Sequence, residues 1–212
     1  MTKIIRALTI GLSLMTGLST ADAQTTAVIT TPPADAAAAT DLSMGSSTTT
    51  PGLPTQAEAA IGKTYLATSF DKWEQRCVKQ ADGSDPCQLY QLLKDSTGND
   101  VAEMSIFSLP DGAKAAAGAT FMAPLETLLT ANLKFTVDGN PPKQYPFAYC
   151  TRVGCVVRLG FTADEIAGMK KGVKVTLTIV PAAAPDKTVD LEMTLKGFTA
   201  GYEAVKTANT KK

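Results

Sequence analysis

The chain has no histidine in its 212 residues. That absence removes Ser-His-Asp and Cys-His catalysis, H-E-x-x-H zinc sites and two-His-one-carboxylate iron sites from its own chemistry. It also lacks an excess of either charge. Its 20 lysines and arginines balance 20 aspartates and glutamates, so it is not built as a general nucleic-acid binder. No C-x-x-C motif is present, which excludes the thioredoxin-type redox pair. No apolar run reaches the ~20 residues of a membrane-spanning helix. G-x-G-x-x-G is absent, and Gly62-Lys63-Thr64 only echoes a phosphate-cradling loop, because Ala57 occupies that loop's first glycine position. No cofactor is called for.

The N-terminus reads as an address. Lys3 and Arg6 supply positive charge, Ala7 to Leu18 is mostly apolar, and Ala21-Asp22-Ala23 has the small-x-small pattern of a signal-peptidase site. Residues 1–23 are therefore expected to be a signal peptide cut between Ala23 and Gln24, sending the chain to the periplasm or outside the cell. Residues 24–62 follow with no aromatic and no basic side chain, only the acids Asp35, Asp41 and Glu58 among Thr, Ala, Pro and Ser. Such a segment buries too little surface to offset its ordering entropy, so a disordered linker is expected. Removing the signal's two bases and one acid and the linker's three acids leaves 18 bases and 16 acids, too slight an excess to name a partner.

Every aromatic residue falls between Tyr65 and Tyr202, and 44% of the whole chain is hydrophobic, enough for a packed core. A folded domain is expected over 63–207, with a disordered tail at 208–212. Alternation is frequent within it. Trp73, Gln75 and Cys77 share one parity; Cys87, Leu89, Gln91 and Leu93 share another. Val101–Leu109, Leu133–Val137 and Cys155–Phe161 read as further strands. Val173, Val175, Leu177 and Ile179, then Val189, Leu191, Met193 and Leu195, form the clearest strand pair, joined by a Pro181–Asp186 loop. Asp138-Gly139-Asn140 marks a turn. Thr162-Ala163-Asp164-Glu165 is a capping box opening one short helix, with Lys170 and Lys171 at its end and Gly172 closing it. The expected fold is all-β, a disulfide-stapled β-sandwich with one short helix.

Four cysteines allow three disulfide connectivities. In an exported chain the simplest is local, Cys77 with Cys87 and Cys150 with Cys155. A redox pair or a four-cysteine zinc site is the alternative, but the gaps match neither. Trp73 has two readings, a core residue against the first disulfide or an exposed aromatic anchor. Tyr145, Phe147 and Tyr149, with Arg152 in the small Cys150–Cys155 loop, form the candidate partner-binding segment. Aromatic side chains on a pinned loop offer preorganised contact area, and an arginine can donate paired hydrogen bonds to an acidic group. Asp190 and Glu192 share one strand face at a spacing a glycosidase carboxylate pair could use, although a solvated outer face explains them as well.

In order along the chain, these blocks resemble the invasion-associated locus B family of bacterial exported proteins. They are W-E-Q-R-C at Trp73–Cys77 with Cys87, A-P-L-E-T-L-L at Ala123–Leu129 running into K-F-T-V-D-G, P-F-A-Y-C-T-R-V-G-C at Pro146–Cys155, and L-K-G-F-T-A-G-Y at Leu195–Tyr202. The family pattern has glycine after the Pro-Leu pair, where this chain has Glu126. The resemblance implies a secreted or periplasmic β-sandwich linked by its name to bacterial invasion of host cells, and it carries no catalytic residues. The function expected is that of a non-enzymatic envelope protein, binding or accessory, promoting host-cell contact or invasion through a protein or glycan partner. The alternatives are a periplasmic assembly or stress factor that binds other exported proteins, and a hydrolase built on Asp190 and Glu192.

Overall fold

The structure is a computed structural model that describes residues 52–110 and 112–210. The signal peptide, its cleavage site, residues 24–51 of the expected linker and the last two residues lie outside them. Alternating side chains dictate the strands. β1 (Thr64–Phe70), β2 (Trp73–Val78), β3 (Cys87–Lys94), β4 (Asp100–Ser108) and β5 (Ala117–Ala123) form an antiparallel meander. β6 (Leu133–Val137) and β7 (Lys143–Tyr145) make a hairpin, as do β8 (Phe147–Cys150) and β9 (Cys155–Phe161). α1 (Ala163–Lys171) leads into the hairpin of β10 (Lys174–Ile179) and β11 (Val189–Thr194), and α2 (Phe198–Thr210) ends the fold.

All eleven strands belong to one sheet, whose main path runs β7-β6-β10-β11-β3-β4-β5-β9-β8, with β2 and β1 branching from β3. The path's two ends, β7 and β8, are separated in sequence only by Pro146, so the sheet comes back on itself and is nearly closed around a single core. Proline suits that corner because it has no N–H to offer a ladder. Trp73, Leu89, Met104, Phe121, Leu133, Val157, Leu177 and Leu191 all point inward. The expected disulfide-stapled β architecture is thus present, as one continuous sheet.

The branch point at β3 is unusual. Between β11 and β3 a single residue pair, Glu192 with Lys94, is in register. Side chains hold the rest of this seam. The Thr194 carbonyl accepts from the Trp73 indole N–H at 2.8 Å and from the Gln91 amide at 3.4 Å, while the Thr194 N–H donates to Gln91 Oε1 at 2.9 Å. Trp73 is fully buried and its ring lies 5.5 Å from that of Phe198. Of the two readings for Trp73 the core one holds, with α2 as the ring's neighbour.

Four expectations need correction. A second helix, α2, is present, and it closes the core with Phe198, Tyr202 and Val205. Gly197 and Gly201 allow it to approach. A Cβ at Gly197 would lie 2.3 Å from the Phe70 carbonyl oxygen, and one at Gly201 2.6 Å from Leu89 Cδ1. This helix also takes residues 208–210 out of the expected tail, because the Asn209 side chain accepts from the Cys87 N–H at 2.8 Å and donates to the Cys87 carbonyl at 2.9 Å. At the other end, residues 52–62 do not behave as linker. Ala59 is buried in the core, Pro54 accepts from the Leu66 N–H at 3.0 Å, and Gln56 donates to Asp85 at 2.9 Å. Val173, expected to face the core, lies outside β10 and is 75% exposed.

Candidate interaction surface

The β8–β9 hairpin is built to hold its tip still. Cys150 and Cys155 are directly opposed across the two strands and bonded to each other, as are Cys77 and Cys87 across β2 and β3. In the tip, the Thr151 N–H donates to the Gly154 carbonyl at 2.8 Å and the Val153 N–H donates to the Thr151 hydroxyl at 3.3 Å. Gly154 seats the tip against β5, where a Cβ would lie 2.6 Å from the Ala123 carbonyl oxygen and 2.8 Å from Met122 Cγ. Val153 is left 76% exposed.

The four candidate partner-binding residues divide. Tyr149 is half exposed, with the Arg158 guanidinium carbon 5.5 Å from its ring centroid, and Arg152 is exposed at the tip. Tyr145 and Phe147 instead pack against the core, Tyr145 edge-on to both Phe135 and Phe161. The reason is a bulge: the pairing register shifts between Phe147 and Tyr149, so Phe147 is opposite Val157 of the core whereas Tyr149 is opposite the adjacent Val156, on the other parity of β9. The carboxylate pair is also explained by its surroundings. Asp190 and Glu192 are both exposed on β11; Thr178 donates to Asp190, and Lys174 donates to Glu192 at 3.0 Å from the neighbouring strand.

The sequence did not reveal a cleft of about 620 Å³ on the outer face of β3, β4 and β5. Leu92, Glu103, Met122, Val156 and Tyr149 form one row across that face. Leu125 and Glu126, from the loop after β5, and Val153, from the hairpin tip, complete the cleft. Its residues come from four separate segments, and only the outward parity of Leu92 was readable in advance. Beside it, the Arg76 guanidinium carbon sits 3.2 Å above the Tyr90 ring centroid. Burial first, and then the Glu103 carboxylate, push the Tyr90 phenol above its ordinary pKa. A smaller cleft of about 410 Å³ lies between α1 and the β6–β7 hairpin, floored by Phe135, Phe161 and Met169, with a Lys143–Glu165 ion pair at its mouth.

Among the described residues no group of three or more His, Cys, Asp or Glu could hold a metal ion, and no helix is long and apolar enough to cross a membrane. The fold and its surface define a disulfide-stapled antiparallel β protein with open clefts on the outer face of β3–β5 and beside α1. The chain belongs to the Invasion associated locus B (IalB) protein family, whose model matches residues 73–206. It is similar to two Invasion protein B homologs of Brucella abortus, from strain 2308 and from biovar 1 strain 9-941. Each is 22% identical over 144 residues, 68% of this chain and 81% of the relative. The crystal structure of invasion associated protein B from Bartonella henselae shares the fold, with a TM-score of 0.59 at 21% identity over 69% of this chain and 98% of that one. These names refer to invasion and describe no reaction.

Proposed function

We propose that this chain is a non-enzymatic exported protein of the bacterial envelope that acts by binding a partner, with host-cell contact or invasion as its biological setting. The observation that carries this reading is the pinned β8–β9 hairpin, which offers Tyr149, Arg152 and Val153 to solvent on a backbone fixed by a disulfide and by contact with β5. Side chains carried on a fixed backbone lose less freedom on binding than those on a mobile loop. Two disulfides and a signal-like N-terminus support export. The pairing of Asp190 and Glu192 with cross-strand neighbours weighs against the hydrolase reading. A second binding reading, an assembly factor for other exported proteins, draws support from β8 ending the sheet path, since an edge strand can accept another chain. The test is crosslinking on intact cells in co-culture with host cells, comparing the full chain with a Tyr149→Ala/Arg152→Ala variant. Capture of a host-surface partner that the variant loses supports the invasion setting. Capture of envelope proteins alone supports the assembly reading, and identical capture by both chains removes the hairpin from the function.

A further inference from the structure

Two fixed turns hold aliphatic side chains over the outer face of the sheet. One is the hairpin tip that carries Val153. In the other, which carries Leu125, the Thr127 hydroxyl donates to the Pro124 carbonyl at 2.8 Å, Thr127 bridges to Pro181, and the Glu126 carbonyl accepts from the Ala182 N–H at 2.7 Å. Between the turns, Val101 and Met122 join the exposed Leu92 to complete an apolar surface, on which Leu125 is 53% and Val153 76% exposed. An apolar patch rimmed by polar groups marks an interaction site.

We propose that this cleft binds a polypeptide segment rich in both aliphatic and basic residues. The proposal rests on the reading of the chain as a binding protein and names the chemistry of its partner. The charge on the rim selects that chemistry. Asp100, Glu103 and Glu126 line the cleft, and none of the described residues lining it is basic; Lys94, outside it, pairs with Asp100. Such a rim attracts lysine and arginine and repels both acidic peptides and anionic lipid surfaces. Recognition has to run through side chains, because β3, β4 and β5 each have a neighbouring strand on both sides and cannot accept an added one. The walls are already ordered, so little conformational entropy is lost on binding.

The test is fluorescence anisotropy with the full chain and three labelled peptides: alternating leucine and lysine, serine in place of leucine, and glutamate in place of lysine. Only the leucine–lysine peptide is expected to bind, more weakly as salt is raised. Leu125→Asp should weaken it about tenfold or more. Glu103→Lys with Glu126→Lys should also weaken it and transfer affinity to the leucine–glutamate peptide. Both variants change exposed side chains, and near-ultraviolet circular dichroism from buried Trp73 reports that they stay folded. Equal binding of the serine peptide, or undiminished binding by both variants, overturns the proposal. So does self-association of the parent in sedimentation that Leu125→Asp abolishes, which would assign the patch to a second copy. In crosslinking on intact cells, equal capture of partners by parent and Leu125→Asp overturns the cleft and leaves the binding reading standing. A chain that binds the peptide as expected but captures nothing from cells leaves the cleft and overturns that reading.

Discussion

Asp85 gathers three donors at one carboxylate inside the loop closed by Cys77 and Cys87. These are the Gln80 N–H at 2.7 Å, the Tyr65 hydroxyl at 2.8 Å and the Gln56 amide at 2.9 Å. The Gln80 N–H, then Tyr65 and Gln56, hold the Asp85 carboxyl below its ordinary value of 3.8. Burial, followed by the Asp85 carboxylate, pushes the Tyr65 phenol up to about 12 from 10. The folded state therefore holds the Tyr65 proton more tightly than the unfolded chain does. Its contribution is complete below pH 10 and is lost as pH rises from 10 through about 12. Asp85 works in the opposite direction, contributing above pH 3.8 and losing that contribution as pH falls below it. Urea midpoints measured against pH should show Tyr65→Phe flattening the alkaline fall and Asp85→Asn flattening the acid one. Asn209 is a second such residue, since its amide replaces a missing strand partner for Cys87. Asn209→Ala should cost about 1–3 kcal/mol in chemical denaturation, because it leaves a donor and an acceptor without partners. Asn209→Asp should recover only the bond from the Cys87 N–H. None of this was legible in the sequence, where Asp85 and Asn209 are ordinary loop and tail residues until the fold brings their partners from 29 and 122 positions away.

The two helices show what local sequence can and cannot announce. The capping box of α1 was readable because both its partners lie within one turn. The Glu165 N–H donates to the Thr162 hydroxyl at 3.3 Å, and the Thr162 N–H donates to Glu165 Oε2 at 2.8 Å. Thr162→Ala should lower stability by about 1 kcal/mol in thermal or urea unfolding. Gly172 closes this helix for a reason the sequence does not show. Its backbone is extended, and a Cβ there would meet Asp138 Oδ2 at 2.6 Å and Leu195 Cδ1 at 2.8 Å. α2 was hidden because glycine and threonine in its first turns lower helix propensity, whereas its stability comes from packing on Trp73 and Leu89. Gly201→Ala improves local propensity yet must displace Leu89. We expect a net loss of about 1–3 kcal/mol, which denaturant midpoints would measure. The strands were the most legible elements, since alternation is local; Leu133–Val137 and Cys155–Phe161 have the expected bounds. Their arrangement into one nearly closed sheet was not legible, because strand order depends on contacts between distant segments.

At the scale of the whole molecule, both disulfides staple strands that are already paired, and they differ in access. Cys77, Cys87 and Cys155 are buried, whereas Cys150 is exposed. Thiol–disulfide exchange requires access to a sulfur, so graded reductant should open the Cys150–Cys155 bridge before Cys77–Cys87, as mass-spectrometric mapping of alkylated cysteines would show. The candidate site was the least readable part. Two of its four expected residues, Tyr145 and Phe147, turn inward while Tyr149 of the same parity turns outward at a register shift, and the cleft beside the other two is assembled from segments that share no motif. The β3–β11 seam, finally, makes alignment of the sheet a matter of one residue's backbone. A two-residue slip of β11 would keep Leu191 and Met193 on the inner face, so burial alone would tolerate it. It would also carry the Thr194 carbonyl and N–H away from Trp73 and Gln91, stranding an indole N–H and an amide in the core. Gln91 and Trp73 thus act as a vernier that admits a single setting between the β10–β11 hairpin and the rest of the molecule.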